Sequence, residues 1–234
     1  MTIDEVYQIV LYSTAKNLSQ GYVSPQDFNN TINQAQKSYV SYLLGSFQTY
    51  SPGRAVARVE FGQNATVRTR LTPIIYWDTL TINGTGFSSY PADYLQVDAM
   101  LTDTGYERIR VVQQDSLYSY YNSAIDPIAT NPIYILEDTG FRFFPITLGT
   151  AKLSYIGNPP DMSWGYSLDA NGIPVYNSNS TPPLVPPQVV LSAQPVWDDA
   201  SMLDIIVRAL SIIGVNLQLN TVEQYSMAIK NQGQ

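Results

Sequence analysis

The spacing of apolar residues changes twice along this chain, and that double change restricts it to one fold class. Ile3, Val6, Tyr7, Val10, Leu11 and Leu18 recur at the three-to-four-residue interval of a helix face. Thr2 and Glu5 fit a capping box, in which each side chain satisfies the other residue's backbone N–H, and Gly21 is placed to stop the helix. Ser24-Pro25 opens a second helix as N-cap and first helical residue. Its apolar stripe is Phe28, Ile32, Ala35, Tyr39 and Leu43, and it ends near Gly45. The short link between the two helices predicts an antiparallel pair.

After Pro52-Gly53 the period falls to two. Ala55, Ala57, Val59 and Phe61 alternate with Val56, Arg58 and Glu60, and Val67, Thr69 and Leu71 continue in the same style. Strands are then expected around residues 74–77, 80–82, 94–102 and 107–113, with a turn at Gly84 and Gly86. Asp115 reads as the N-cap of a short helix reaching residue 124, and residues 133–137, 140–146 and 151–156 read as a compact meander. Helical spacing returns after Asp198 or Asp199, either of which suits a helix N-terminus. Leu203, Ile206, Val207, Leu210 and Ile213 supply one face, Gly214 ends or bends it, and a weaker segment starts at Thr221.

The expected class is α+β: an N-terminal helix pair, an antiparallel strand-rich middle with a projecting hairpin, and C-terminal helices. One domain is expected over residues 1–234. It comprises a helical part (1–50), a β-rich body (54–160), a hairpin with a proline-rich return (161–197) and a helical end (198–231).

The hairpin is the most distinctive stretch. Residues 157–197 are rich in Pro, Asn and Ser, yet they hold Trp164, Tyr166 and Tyr176 around the turn Asp169-Ala170-Asn171-Gly172. Pro182, Pro183, Pro186 and Pro187 impose an extended return. Two placements of the aromatic rings are open. The hairpin folds back and buries them in its own domain, or it clasps a neighbouring subunit, where rigid rings make strong anchors.

Chemistry is scarce by comparison. The chain has no Cys and no His, which excludes thiol nucleophiles, disulfides and imidazole acid–base pairs. No phosphate loop, nucleotide fingerprint or metal-ligand spacing is present, so no catalytic, cofactor-binding or metal residue is named and a non-enzymatic role is expected. The carboxylate pairs Glu137-Asp138 and Asp198-Asp199 read as turn and capping residues, since adjacent strand residues point to opposite faces. No apolar run approaches the length that spans a bilayer, so no membrane partner is expected.

The net charge is −7, and it is uneven: residues 111–234 hold four basic and ten acidic side chains. Such a surface repels nucleic acid over most of its extent. Arg54, Arg58, Arg68 and Arg70 are the nearest approach to a basic patch. Arg58 with Arg68 and Arg70 could share one sheet face. There they would contact phosphate, pair with Glu60 and other acids, or form ion pairs between subunits.

Several segments recur in an order that resembles a known group. They are Tyr90-Pro91-Ala92-Asp93-Tyr94, Phe143-Phe144-Pro145, Leu153-Ser154-Tyr155-Ile156, Pro159-Pro160, Trp164-Gly165-Tyr166, Val175-Tyr176, and Trp197-Asp198 before an apolar helix. Over roughly residues 54–230 the series resembles neck and tail structural proteins of podovirus-like bacteriophages, in particular the ring or head–tail connector proteins of crAss-like phages. The resemblance implies a virion protein assembled in the host cytoplasm. It implies a homo-oligomeric ring, commonly a dodecamer, contacting the portal and adjacent ring or tail proteins. It also implies that DNA passes through the ring's channel without sequence-specific binding. The candidate subunit-interface residues are Trp164, Tyr166, Tyr176, Arg58, Arg68 and Arg70. The abundance of Tyr and Trp supports an alternative from another class, a carbohydrate-binding module of a phage tail protein.

Overall fold

The computed structural model of the chain describes residues 1–17, 23–45, 65–103, 107–120 and 126–216. The class is α+β as expected, with a helix pair first, a strand-rich middle of three sheets, and a helix last. The chain divides into two compact units, and the second is an insertion in the first: Met1–Pro73 with Pro159–Gln234, and Ile74–Asn158.

In the first unit, α1 (Ile3–Asn17) begins with the capping box. Thr2 N–H donates to Glu5 Oε2 at 2.8 Å, and Glu5 N–H donates to Thr2 Oγ1 at 3.3 Å. In α2 (Pro25–Leu43), Ser24 Oγ accepts from Asp27 N–H, and Phe28, Ile32, Ala35, Tyr39 and Leu43 are buried as the spacing predicts. Gly45 just beyond it takes φ +75°, the left-handed conformation a helix end favours. Leu18, Gly21 and the alternating run at residues 55–61, Arg58 included, lie outside the described residues.

The period-two reading fails at residues 67–71. They form α3 (Ala65–Leu71), whose Thr69 hydroxyl donates back to the Ala65 carbonyl. Three alternating residues are too short a run to separate a strand from two helical turns, and Leu71 is the buried residue of the helix that forms.

Helix α5 (Asp199–Asn216) starts where the aspartates predict and runs through Gly214 without ending. Its buried face is Met202, Ile205, Ile206, Ala209 and Ile213, whereas Leu203 and Val207, expected in the stripe, are exposed. Counting helical spacing from Leu203 set the face one position off, because α5 is apolar over much of its circumference. Tyr39 of α2 meets α5 through its hydroxyl, which donates to Ser201 Oγ at 3.0 Å. The segment expected from Thr221 lies outside the described residues.

Among its described residues the second unit has seven strands in two sheets. β1 (Ile75–Thr81), β7 (Thr150–Gly157) and β3 (Tyr94–Thr102) form one, with β7 central and antiparallel to both neighbours. β2 (Phe87–Ser89), β6 (Gly140–Phe144), β5 (Ile133–Leu136) and β4 (Arg110–Val111) form the other in that order, with β4 parallel to β5. The expected meander is therefore not one: β5 and β6 form a hairpin, but β7 crosses into the other sheet. Pro145 has no N–H to continue the ladder beyond Phe144, and the chain turns there, with Leu148 N–H donating to the Pro145 carbonyl. The helix expected from Asp115 is reduced among the described residues to α4 (Leu117–Tyr120) after a 3₁₀ turn. Asp115 sits inside that turn and does not cap it.

The core of this unit is aromatic. Tyr134, Phe141, Phe143 and Tyr155 are buried with Leu80, Met100 and Leu153, and Tyr90 and Tyr94 stack on one another at 4.5 Å beside them. Burial raises the Tyr94, Tyr134 and Tyr155 hydroxyls to about 12, because a phenolate would lose its hydration there.

Candidate functional site

The hairpin and its return form a small sheet in the first unit, with β8 (Tyr166–Leu168) between β9 (Pro174–Tyr176) and β10 (Gln188–Val190). At its base a polar stripe of α2 grips the incoming strand. Asn29, Asn33 and Gln36 are spaced four and three apart, so they share one helix face. Extended residues two apart also share one edge, and the stripe meets Pro160, Met162 and Trp164 in succession. Asn33 Nδ2 donates to the Met162 carbonyl and Asn33 Oδ1 accepts from Met162 N–H, both at 2.8 Å. Asn29 repeats the pattern, accepting from Trp164 N–H at 2.7 Å and donating to the Trp164 carbonyl at 3.4 Å. Gln36 donates to the Pro160 carbonyl at 3.0 Å and accepts from Trp197 Nε1–H at 2.9 Å. A side-chain amide carries both a donor and an acceptor, so it pairs with backbone as another strand would.

Trp164 locks this junction. Its ring is 3% exposed, lies 4.3 Å from Tyr7 of α1, and donates from Nε1–H to Asp4 Oδ1 at 2.8 Å. Tyr166 and Tyr176 are half-buried with ring centroids 5.9 and 5.8 Å from it. Gly165 makes the crossing possible, because a Cβ there would lie 2.5 Å from Ser192 N and 2.7 Å from the Asn177 carbonyl oxygen. The hairpin thus folds back at its base, and Trp164 is a core residue of its own unit. Sequence placed the aromatic residues on the hairpin but carried no sign of which way they face.

Beyond the base, neutral side chains hold the arm. Asn177 Nδ2 donates to Ser167 Oγ, Asn179 Nδ2 donates to Gln188 Oε1 at 2.9 Å, and Gln188 Nε2 donates to the Asn179 and Val190 carbonyls. At the turn, Asp169 Oδ1 accepts from Asn171 N–H and Ile173 N–H, both at 2.8 Å, while Gly172 takes φ +78°. Asp169 is the single charged residue among residues 162–197.

The exposed surface of the arm is aliphatic. Leu168, Ile173, Val175, Leu184, Val185 and Val189 all face solvent, Val175 at 53% and Val185 at 62%. Val175 pairs with Ser167 and Leu168 with Pro174, so exposed apolar side chains lie on both faces of the tip. None of these six is a candidate interface residue on sequence grounds, and Val175 enters there only within the Val175-Tyr176 segment. Valines and leucines between the prolines of an uncharged stretch are the one available signal, and the same prolines predict an extended return.

Arg68 and Arg70 do not share a face, because they lie two apart on α3 and so point in different directions. Arg70 donates to Asp204 Oδ2 of α5 at 2.8 Å and to Tyr39 Oη at 3.3 Å, and the Tyr39 bond, then Asp204, holds its guanidinium above its usual value. Arg68 is exposed, and Arg54 and Arg58 lie outside the described residues. Among the described residues there is no group of three or more Cys, His, Asp or Glu side chains suited to a metal ion. No helix among them is long and apolar enough to cross a membrane. The chain matches no protein-family model and no curated protein sequence.

Proposed function

We propose that this chain is a structural subunit of a bacteriophage neck or tail, which self-associates into a ring around the path of the DNA and joins the portal to tail components. The observation that carries this reading is the arm: a fixed base, almost no charge, and an apolar tip exposed on both faces. A surface of that kind is costly in water and is stabilised by a protein cleft that covers both sides. The candidate anchors are accordingly the six aliphatic residues of the tip, with Tyr166 and Tyr176 supporting them from the base. The net charge of −7 supports passage of DNA without adhesion, since an acidic wall offers the backbone no counterion-releasing contacts. No chemical step is assigned to the chain. The test is native mass spectrometry over a range of protein concentrations. A discrete closed oligomer, lost when Ile173, Val175 and Val185 are changed to Ser, supports the reading, and a strict monomer at every concentration overturns it.

One observation favours a second reading, the carbohydrate-binding module. Trp77 on β1 is 62% exposed, with Thr79 and Thr81 on the same side of the strand. A flat ring beside hydroxyls suits sugar stacking. Glycan-array binding by the monomer that disappears in Trp77→Ala would move the assignment there.

A further inference from the structure

The second unit holds four cations, and two are used internally: Arg142 pairs with Glu137, and Lys152 with Asp103 at 3.2 Å. The other two, Arg108 and Arg110, are exposed and form no ion pair with any described residue. They lie two apart on the segment entering β4, beside Val111, which is 56% exposed at the sheet edge. The other end of the same sheet carries the reverse arrangement. Leu136 is 51% exposed at the end of β5, and Asp138 in the following turn is exposed and forms no ion pair with any described residue, while its neighbour Glu137 is held by Arg142.

The register fixes the separation. Arg110 pairs with Ile133, and β5 runs from there towards Asp138, five residues further on. At the rise of an extended strand this is about 17 Å. That is about twice the screening length at physiological salt, so the two charges do not stabilise each other within one copy. A direct pairing of the two charges would need two copies.

The geometry points to a head-to-tail contact between copies of this chain, in which Leu136 and Asp138 of one copy dock on Val111, Arg108 and Arg110 of the next. The occupant is a second copy because the two ends match in charge and each adds one exposed aliphatic residue. Different surfaces meet, so the contact is heterologous and propagates around a ring. It rests on the reading of the chain as a self-assembling subunit, and it does not involve the arm, whose one charge is Asp169.

A charge swap tests it. Arg110→Asp and Asp138→Arg alter exposed side chains, so circular dichroism and melting should match the unaltered chain. Each alone should raise the concentration needed for assembly about tenfold, the scale of one reversed ion pair. Both together should restore it, because the pair is re-formed with its signs exchanged. Raising salt should weaken assembly of the unaltered chain. If the unaltered chain assembles and the single changes cost nothing, or the double change fails to restore assembly, this contact is overturned while the connector reading stands. If the unaltered chain never assembles, the connector reading fails first and the contact with it.

Discussion

Residues 162–197 keep their shape through amide and hydroxyl hydrogen bonds around the buried Trp164, whereas residues 74–158 rest on packed aromatic rings with ion pairs at the surface. The arm has one charged side chain, and the amides that hold it do not titrate between acid and alkali. The strand-rich unit holds three tyrosines whose hydroxyls are pushed to about 12 and a carboxylate pushed down, so its stability is tied to pH at both extremes. The amide bonds that hold the arm are thus indifferent to pH, while the packing of the strand-rich unit is not.

The hardest way to break the arm is at its root. Trp164→Ala removes a buried ring and leaves a cavity against Tyr7, and should destabilise the first unit by about 3–5 kcal/mol. Thermal melting followed by near-ultraviolet circular dichroism measures it. A variant that melts normally but no longer assembles would show that Trp164 serves a neighbour and not its own core. Asn33→Ala comes next. It leaves Met162 N–H and carbonyl without partners, at about 1–3 kcal/mol for each buried group. Faster hydrogen exchange at residues 160–165, with the strand-rich unit unchanged, is the expected signature. Exchange that quickens equally in both units would mean that the amide stripe does more than hold the arm.

The root and the tip of the arm also differ in how legible they were. Apolar spacing located α1, α2 and the start of α5, and turn residues located the hairpin, because those signals are local. The grip of Asn29, Asn33 and Gln36 was not legible. A polar stripe on a helix reads as a solvated face, and only the return of the chain many residues later makes it a backbone partner. Trp164 stands out in the sequence as an aromatic residue in a loop, but which of its two open placements holds depends on α1, far away in the chain. Arg68 and Arg70 share a face only on a strand, and the segment is a helix. The aliphatic tip is not legible because exposure, unlike hydrophobicity, depends on what the rest of the fold fails to cover.

Alkali sharpens the comparison from the other side. In the unfolded chain a tyrosine ionises near its ordinary value of 10, while Tyr94, Tyr134 and Tyr155 ionise at about 12 when folded. A raised folded value means that the contribution is complete below pH 10 and is lost as pH climbs towards 12. The strand-rich unit should therefore lose stability in that window, seen as a cooperative rise in tyrosinate absorbance with loss of strand signal. Hydrogen exchange at residues 160–165 should change less. Gradual ionisation of these tyrosines near 10, with the strands intact, would contradict their burial.

The smallest expected effect is at the acid end, where Arg142 holds Glu137. Arg142 donates to both carboxylate oxygens, one of them through Nε, and its Nη1 also donates to the Thr85 carbonyl at 3.2 Å. The hydrogen bond from Arg142 is the main cause that lowers Glu137 below its ordinary 4.5, with the guanidinium charge adding to it and burial opposing. A depressed folded value makes the contribution complete above 4.5 and lost as pH falls through the lower folded value. The pair is partly exposed and screened by solvent, so Glu137→Gln should cost little at neutral pH. The informative result is the shape of the difference. The unaltered chain and the variant should converge as pH drops below the carboxylate range, because the unaltered Glu137 is then neutral as well. A gap that persists in acid would assign the loss to the turn itself, where the Glu137 carbonyl accepts from Tyr90 Oη at 2.6 Å and its N–H donates to the Gly140 carbonyl at 2.9 Å. The ion pair would then be incidental to how this end of the sheet is held.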